Sequence, residues 1–157
     1  MSSIVVGVDG SPSSTAALAW AVDQARGRDA ELTVAHVYRP PESGADPPLT
    51  STHFPSATTV ERAADEADRR RGEDDDEAHR RAEGVVSSAL SEVDTDGVPT
   101  RTVVLAGRPA AGLIEVSREA DLLVVGSRGR GGFGSLRLGS VSEQCTRHAS
   151  CPVVVVR

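Results

Sequence analysis

Short β-branched runs alternating with helix-forming stretches constrain this chain more than any other feature. Ile4–Val8, Leu32–Val37, Arg101–Ala106, Leu122–Val125 and Val153–Val156 are short and largely apolar, and turn residues bound them. That is the pattern of strands buried on both faces. Helical stretches lie between them: Ala16–Ala25, about 59–93, Ala110–Glu119, and a last one after Ser140. The order β-α-β-α-β-α-β-α-β predicts a parallel sheet covered on both faces, joined by right-handed crossovers. A length of 157 residues fits one domain over 1–157. In such sheets ligands bind beyond the carboxyl ends of the strands, at the topological switch point.

Local signals refine the order. Ser11 before Pro12 marks a helix start, with Ser at the cap and Pro in the first turn. Trp20 is the one bulky anchor of that helix, and Gly27 reads as its C-cap. The stretch from about 39 to 58 is rich in Pro, Gly, Ser and Thr. A loop of that length is expected to be mobile or functional. Ala63, Ala67, Ala78, Ala82, Val85, Val86, Ala89 and Leu90 recur at helical spacing. The charged run Arg69–Glu77 between them reads as a solvated helical face, with fraying expected at Gly72.

Composition removes several functions. The net charge is −6 and aromatics make up 3%. An acidic chain with few stacking side chains is not expected to bind nucleic acid. Every basic residue is Arg, so no Schiff-base lysine and no P-loop lysine is available. No apolar run approaches the ~18–20 residues of a membrane span, and Met1–Val8 has no signal-peptide pattern. A cytoplasmic protein without membrane contact is expected. Cys145, His148 and Cys151 have residue types that suit zinc, and Cys145 and His148 read as sharing a helix face. A fourth ligand is missing, so the cysteines read as core residues. No Ser has Gly at both −2 and +2, so a nucleophile elbow is absent. His36 reads as a strand residue near the site, not a catalyst.

The most informative segment follows the fourth strand. Five glycines fall between Gly126 and Gly134, and Gly139-Ser140 precedes the last helix. Residues without a Cβ let backbone N–H groups approach an anion, and a helix N-terminus adds free N–H groups and a positive dipole end. Ser140 and Ser142 offer hydroxyls. Arg128, Arg130 and Arg137 make this segment locally basic, since no acid lies between Gly126 and Gly139. A cradle for polyphosphate is expected. Gly129-x-Gly131-x-x-Gly134 matches a dinucleotide fingerprint only literally. The fingerprint belongs in the first strand–helix turn, with an acid about 20 residues later.

Gly126-x2-Gly129-x9-Gly139-Ser140 resembles the glycine motif of the universal stress protein family. Ile4–Ser11, His36-Val37 and Cys151–Val156 add to a resemblance that covers essentially the whole chain, least at 38–60. It implies a three-layer α/β/α fold of the adenine nucleotide alpha hydrolase-like type, with a five-stranded parallel sheet of order 3-2-1-4-5. It also implies the ATP-binding branch of the family. On that resemblance Val37 lies against adenine, and Val8 and Asp9 line the nucleoside. Val125, Gly126, Arg128 and Gly129 wrap ribose and phosphates, and Gly139, Ser140, Val141 and Ser142 bind phosphates. Asp9 would hold a water of an Mg²⁺ or Mn²⁺ carried mainly by the phosphates. Val153–Val156 would be an edge strand that pairs with a second copy, giving a homodimer. The expected role is a nucleotide-dependent sensor or switch in stress response. A slow ATP hydrolase and a nucleotide-independent dimeric interaction module are the alternatives. The usual catalytic set for phosphoryl transfer is missing, so at most weak hydrolysis is expected.

Overall fold

The computed structural model describes residues 2–40, 57–129 and 138–157. The segment 41–56, Arg130, Arg137 and the glycines between them lie outside the described residues, as do the side chains of Ala63 and Ala67. The element order is β1 (Ser3–Gly7), α1 (Pro12–Arg28), β2 (Glu31–Tyr38), α2 (Ala57–Glu92), β3 (Thr100–Ala106), α3 (Pro109–Val116), β4 (Leu122–Gly126), α4 (Ser140–His148) and β5 (Val153–Val156). The five strands form one sheet of order β3-β2-β1-β4-β5, and every neighbouring pair is parallel. The α/β class and the 3-2-1-4-5 order are therefore as expected. β1 has β2 on one side and β4 on the other, so chain direction across the sheet reverses at β1. That is the switch point.

Strand alternation divides the core between the two faces. Ile4, Val6, Leu32, Val34, Leu122 and Val124 face α1 and α2, where they meet Leu18, Val22, Val86 and a row of alanines. Val5, Ala35, Val37, Leu123 and Val125 face the other way, toward Leu113 of α3 and Cys145 of α4. Small residues let α1 lie close: Ala17, Ala21 and Ala25 are buried, whereas Trp20 packs only at the margin of the core.

Ser11 caps α1 as expected. Its side chain accepts from the Ser14 N–H, and Pro12 opens the helix. Gly27 does not end α1. The helix runs on through Arg28, and Asp29 caps it at φ 51, a left-handed conformation that Asp tolerates better than most residues. Nor does α2 break at Gly72. Glu66–Arg70 at 2.7 Å and Glu77–Arg81 span one helical turn on either side of it, with the acid N-terminal, the favourable orientation. The Arg69–Glu77 face is solvated, as read, while Ala82, Val86 and Ala89 are buried. Among the described residues, no helix is long and apolar enough to cross a membrane.

Candidate functional site

Three chain segments meet at the carboxyl ends of β1 and β4. The first is the turn after β1. The Val8 N–H donates to the Ala35 carbonyl at 2.9 Å, and the His36 ring Nδ1 donates to the Val8 carbonyl at 2.7 Å. His36 thus props the turn from the α2 side. At Asp9, the N–H donates to Ser14 Oγ at 3.2 Å, and Oδ1 accepts from the Ser11 N–H at 2.9 Å. The second carboxylate oxygen points at the next segment: a Cβ on Gly129 would stand 2.8 Å from Asp9 Oδ2.

The second segment leaves β4 at Gly126 and passes over the start of α1. A Cβ on Gly126 would lie 2.8 Å from the Ser13 carbonyl oxygen. The Arg128 N–H donates to Ser13 Oγ at 3.4 Å, and the Ser11 hydroxyl to the Arg128 carbonyl at 3.5 Å, both long contacts. The third segment is the start of α4. The Gly139 N–H donates to the Ser127 carbonyl at 2.8 Å, and the first helical bond runs from the Glu143 N–H to Gly139 at 2.9 Å. The N–H groups of Ser140, Val141 and Ser142 therefore have no acceptor within the helix. The Ser142 hydroxyl donates to the Gly126 carbonyl at 2.5 Å. What Ser142 offers outward is thus its backbone N–H.

Between these segments lies a cleft of about 640 Å³. Every residue nominated from sequence lines it: Val8, Asp9, Val37, Val125, Gly126, Arg128, Gly129, Gly139, Ser140, Val141 and Ser142. His36 does not; it lines a neighbouring groove on the α2 side. Five further residues complete the cleft: Gly7, Ser14, Arg39, Pro109 and Leu113. Arg39 carries no motif; its one signal is its place after the carboxyl end of β2, which the strand order sets beside β1. Pro109 and Leu113 come from α3, which no motif marks.

The cleft has two chemically distinct ends. Toward β4 and α4 it is lined by glycine backbone and the open start of a helix. Toward β2 and α3 its described lining is apolar apart from Arg39, with Val37, Pro109 and Leu113. Two arginines, Arg39 and Arg128, face one carboxylate, Asp9, among the described lining residues. In a chain of net charge −6, that balance suits an anion with an apolar body.

The cysteine pair lies beneath the cleft. Cys145 is fully buried, and burial together with the nearby Cys151 pushes its thiol up to about 11. A thiol held protonated is a poor metal ligand. His148 does not share its environment, being exposed to solvent. Among the described residues no group of three His, Cys, Asp or Glu is placed to hold a metal ion.

A parallel α/β sheet with its cleft at the switch point defines a class of ligand-binding protein. The family follows from comparison: the universal stress protein family model matches residues 1–157, and the chain belongs to that family. A universal stress protein of Mycolicibacterium smegmatis is 36% identical over 153 residues, covering 98% of this chain and 47% of its own. This chain thus spans about half the length of that relative. A Thermus aquaticus universal stress protein, from the region 3′ of a sulfhydrylase gene, is 34% identical over 157 residues, covering 98% of this chain and 97% of its own. A universal stress protein solved in complex with cAMP superposes with a TM-score of 0.56 at 25% identity, covering 99% of this chain and 96% of its own.

Proposed function

We propose that residues 1–157 form a single ATP-binding universal stress protein domain, cytoplasmic and dimeric, that acts as a nucleotide-dependent sensor or switch in stress response. The observation that carries this reading is Gly139. Its φ of −63° is open to any residue, and among the described residues a Cβ there would meet nothing nearer than 3.5 Å. Packing alone therefore does not require glycine at that position. A ligand seated on the free N–H groups of Ser140, Val141 and Ser142 would require it. Phosphates are the natural occupants of such a helix start, and a family member that binds cAMP supports an adenine nucleotide.

Within this reading Val37 and Val8 flank the nucleoside. Gly126, Arg128 and Gly129 follow ribose and phosphates, with Val125 beneath them. Asp9 has one oxygen engaged by the Ser11 N–H and a second directed toward Gly129. A lone carboxylate suits a cation such as Mg²⁺ or Mn²⁺ that keeps its waters and is carried by phosphates. With Asp9 the single carboxylate among the described lining residues, efficient hydrolysis is not expected. β5 pairs only with β4 in the sheet order. Its four valines are all half-buried, an edge suited to antiparallel pairing with a second copy.

One observation favours the interaction-module alternative. Gly126 is required by the close approach of the Ser13 backbone, and a Cβ on Gly129 would crowd Asp9 Oδ2 at 2.8 Å, so neither glycine by itself reports a ligand. The deciding experiment is a nucleotide assay on heat-extracted, freshly purified protein, then an ATP–Mg²⁺ titration with sedimentation in parallel. Bound or micromolar ATP on a dimer is the expected result. Empty protein without response up to millimolar ATP would overturn the nucleotide reading, and monomer alone at tens of micromolar would overturn the dimer.

A further inference from the structure

We infer that Arg39 is the residue that reads the base, its guanidinium stacking on the purine at the β2 end of the cleft. This rests on the nucleotide reading above and goes beyond it. Adjacent strands lie ~4.8 Å apart, so β4 and β2, on either side of β1, are separated by ~10 Å. A nucleotide whose phosphate sits at the start of α4 therefore extends across β1 and sets its base over β2. The floor there is fixed: Val37 is packed so closely under α3 that a Cβ on Gly112 would come within 2.7 Å of it. The β3 exit is tied to the same place, since the Gly107 N–H donates to the Tyr38 carbonyl at 2.8 Å.

Arg39 is the next residue after β2 and lines both this end of the cleft and the groove on the α2 side. Among the described residues it is the charged residue of an otherwise apolar end, where Val37, Pro109 and Leu113 are its companions. Arg128, the other arginine among the described lining residues, sits at the opposite end, beside Gly126 and Gly129. One arginine is thus placed for phosphate and the other for the base. A planar guanidinium stacks on aromatic rings, and a lysine ammonium cannot do so in the same way. The contact recognises a purine surface and leaves adenine and guanine to be told apart elsewhere.

The test is titration of the 157-residue chain with ATP–Mg²⁺ and, separately, with inorganic tripolyphosphate. The expected result for Arg39→Ala is ATP binding weakened about 5- to 30-fold, with tripolyphosphate binding unchanged. Arg39→Lys, which keeps the charge and loses the plane, is expected to stay close to the alanine variant. Full recovery by Arg39→Lys, or equal loss for ATP and tripolyphosphate, would mean that Arg39 acts as a point charge on the phosphates and would overturn the inference. An unchanged Arg39→Ala would overturn it too. A wild-type protein that binds neither probe would sink the nucleotide reading itself. Matching thermal melts of the variants, expected for this exposed side chain, separate each of these results from misfolding.

Discussion

On the α1–α2 face, the sheet is sealed by helices of 17 and 36 residues, and Ile4, Val6, Leu18, Val22, Leu32, Val34 and Val124 are among the most deeply buried side chains of the molecule. On the α3–α4 face, the helices have only 8 and 9 residues. Of the larger aliphatic side chains described on that face, only Leu123 is buried as deeply, with the small Ala35 also enclosed. Val37 and Val125 of that face form the floor of the cleft, and Leu113 part of its wall. One layer of the fold therefore carries most of the stability, and the other leaves room for a ligand. Substitutions on the two faces should differ accordingly.

The largest difference is expected between two leucines. Leu18 is wholly enclosed, so Leu18→Ala should lower unfolding free energy by about 2–5 kcal/mol, the range for a cavity in a sealed core. Leu113 borders the cleft. A cavity there opens to water, so Leu113→Ala should cost chiefly the transfer part, about 1.5–3 kcal/mol. Denaturant unfolding of both variants measures this. Equal losses would mean that the α3–α4 layer is as tightly closed as its counterpart.

The second contrast sits within the glycine motif. Gly126→Ala forces a Cβ to within 2.8 Å of the Ser13 carbonyl oxygen, backbone that cannot swing aside, and should cost about 1–3 kcal/mol. Gly139→Ala meets only ordinary contacts at 3.5 Å. Because Gly139 is the N-cap of α4, where glycine is favoured over alanine, the change should cost about 0.5–1 kcal/mol while weakening ATP binding about tenfold or more. Thermal melts paired with titration separate the two. Destabilisation by Gly139→Ala as large as that of Gly126→Ala, or unimpaired binding, would remove the reason for assigning that glycine to a ligand.

Residues with a short-range signature were legible before any coordinates. Ser11-Pro12 sits at the start of α1 as its chemistry dictates, and the spacing of Gly126, Gly129 and Gly139 marks one rim of the cleft. What was not legible depends on tertiary context. Gly27 looks like a helix end, yet Asp29 caps α1, because the link to β2 turns there: Ala30 donates back to Ala25 at 3.0 Å, and Glu31 to Ser2 at 2.9 Å. Gly72 looks like a break and is overridden by charged pairs on either side. Arg39 carries no motif and joins the cleft only because β2 neighbours β1. Cys145 and His148 are three residues apart, yet one is sealed and the other exposed, since the sheet covers only one side of α4.

The smallest expected effect tests how dry the thinner layer is beneath its cleft. Cys145 lies on that face, its thiol raised from 9.0 to about 11, first by burial and then by Cys151. In the unfolded chain the thiol ionises above pH 9, while the folded protein holds its proton to about 11. Between those values the native state binds more protons, so stability falls as pH rises, by about 1 kcal/mol at pH 10. Cys145→Ala should remove that component, with its constant cavity cost leaving the slope unaffected. Unfolding curves of both proteins from pH 8 to 11 give the slopes. A steeper decline in wild type means that water in the cleft does not reach Cys145. Parallel slopes would mean that solvent reaches α4 from inside, and that the α3–α4 face is open well below the cleft floor.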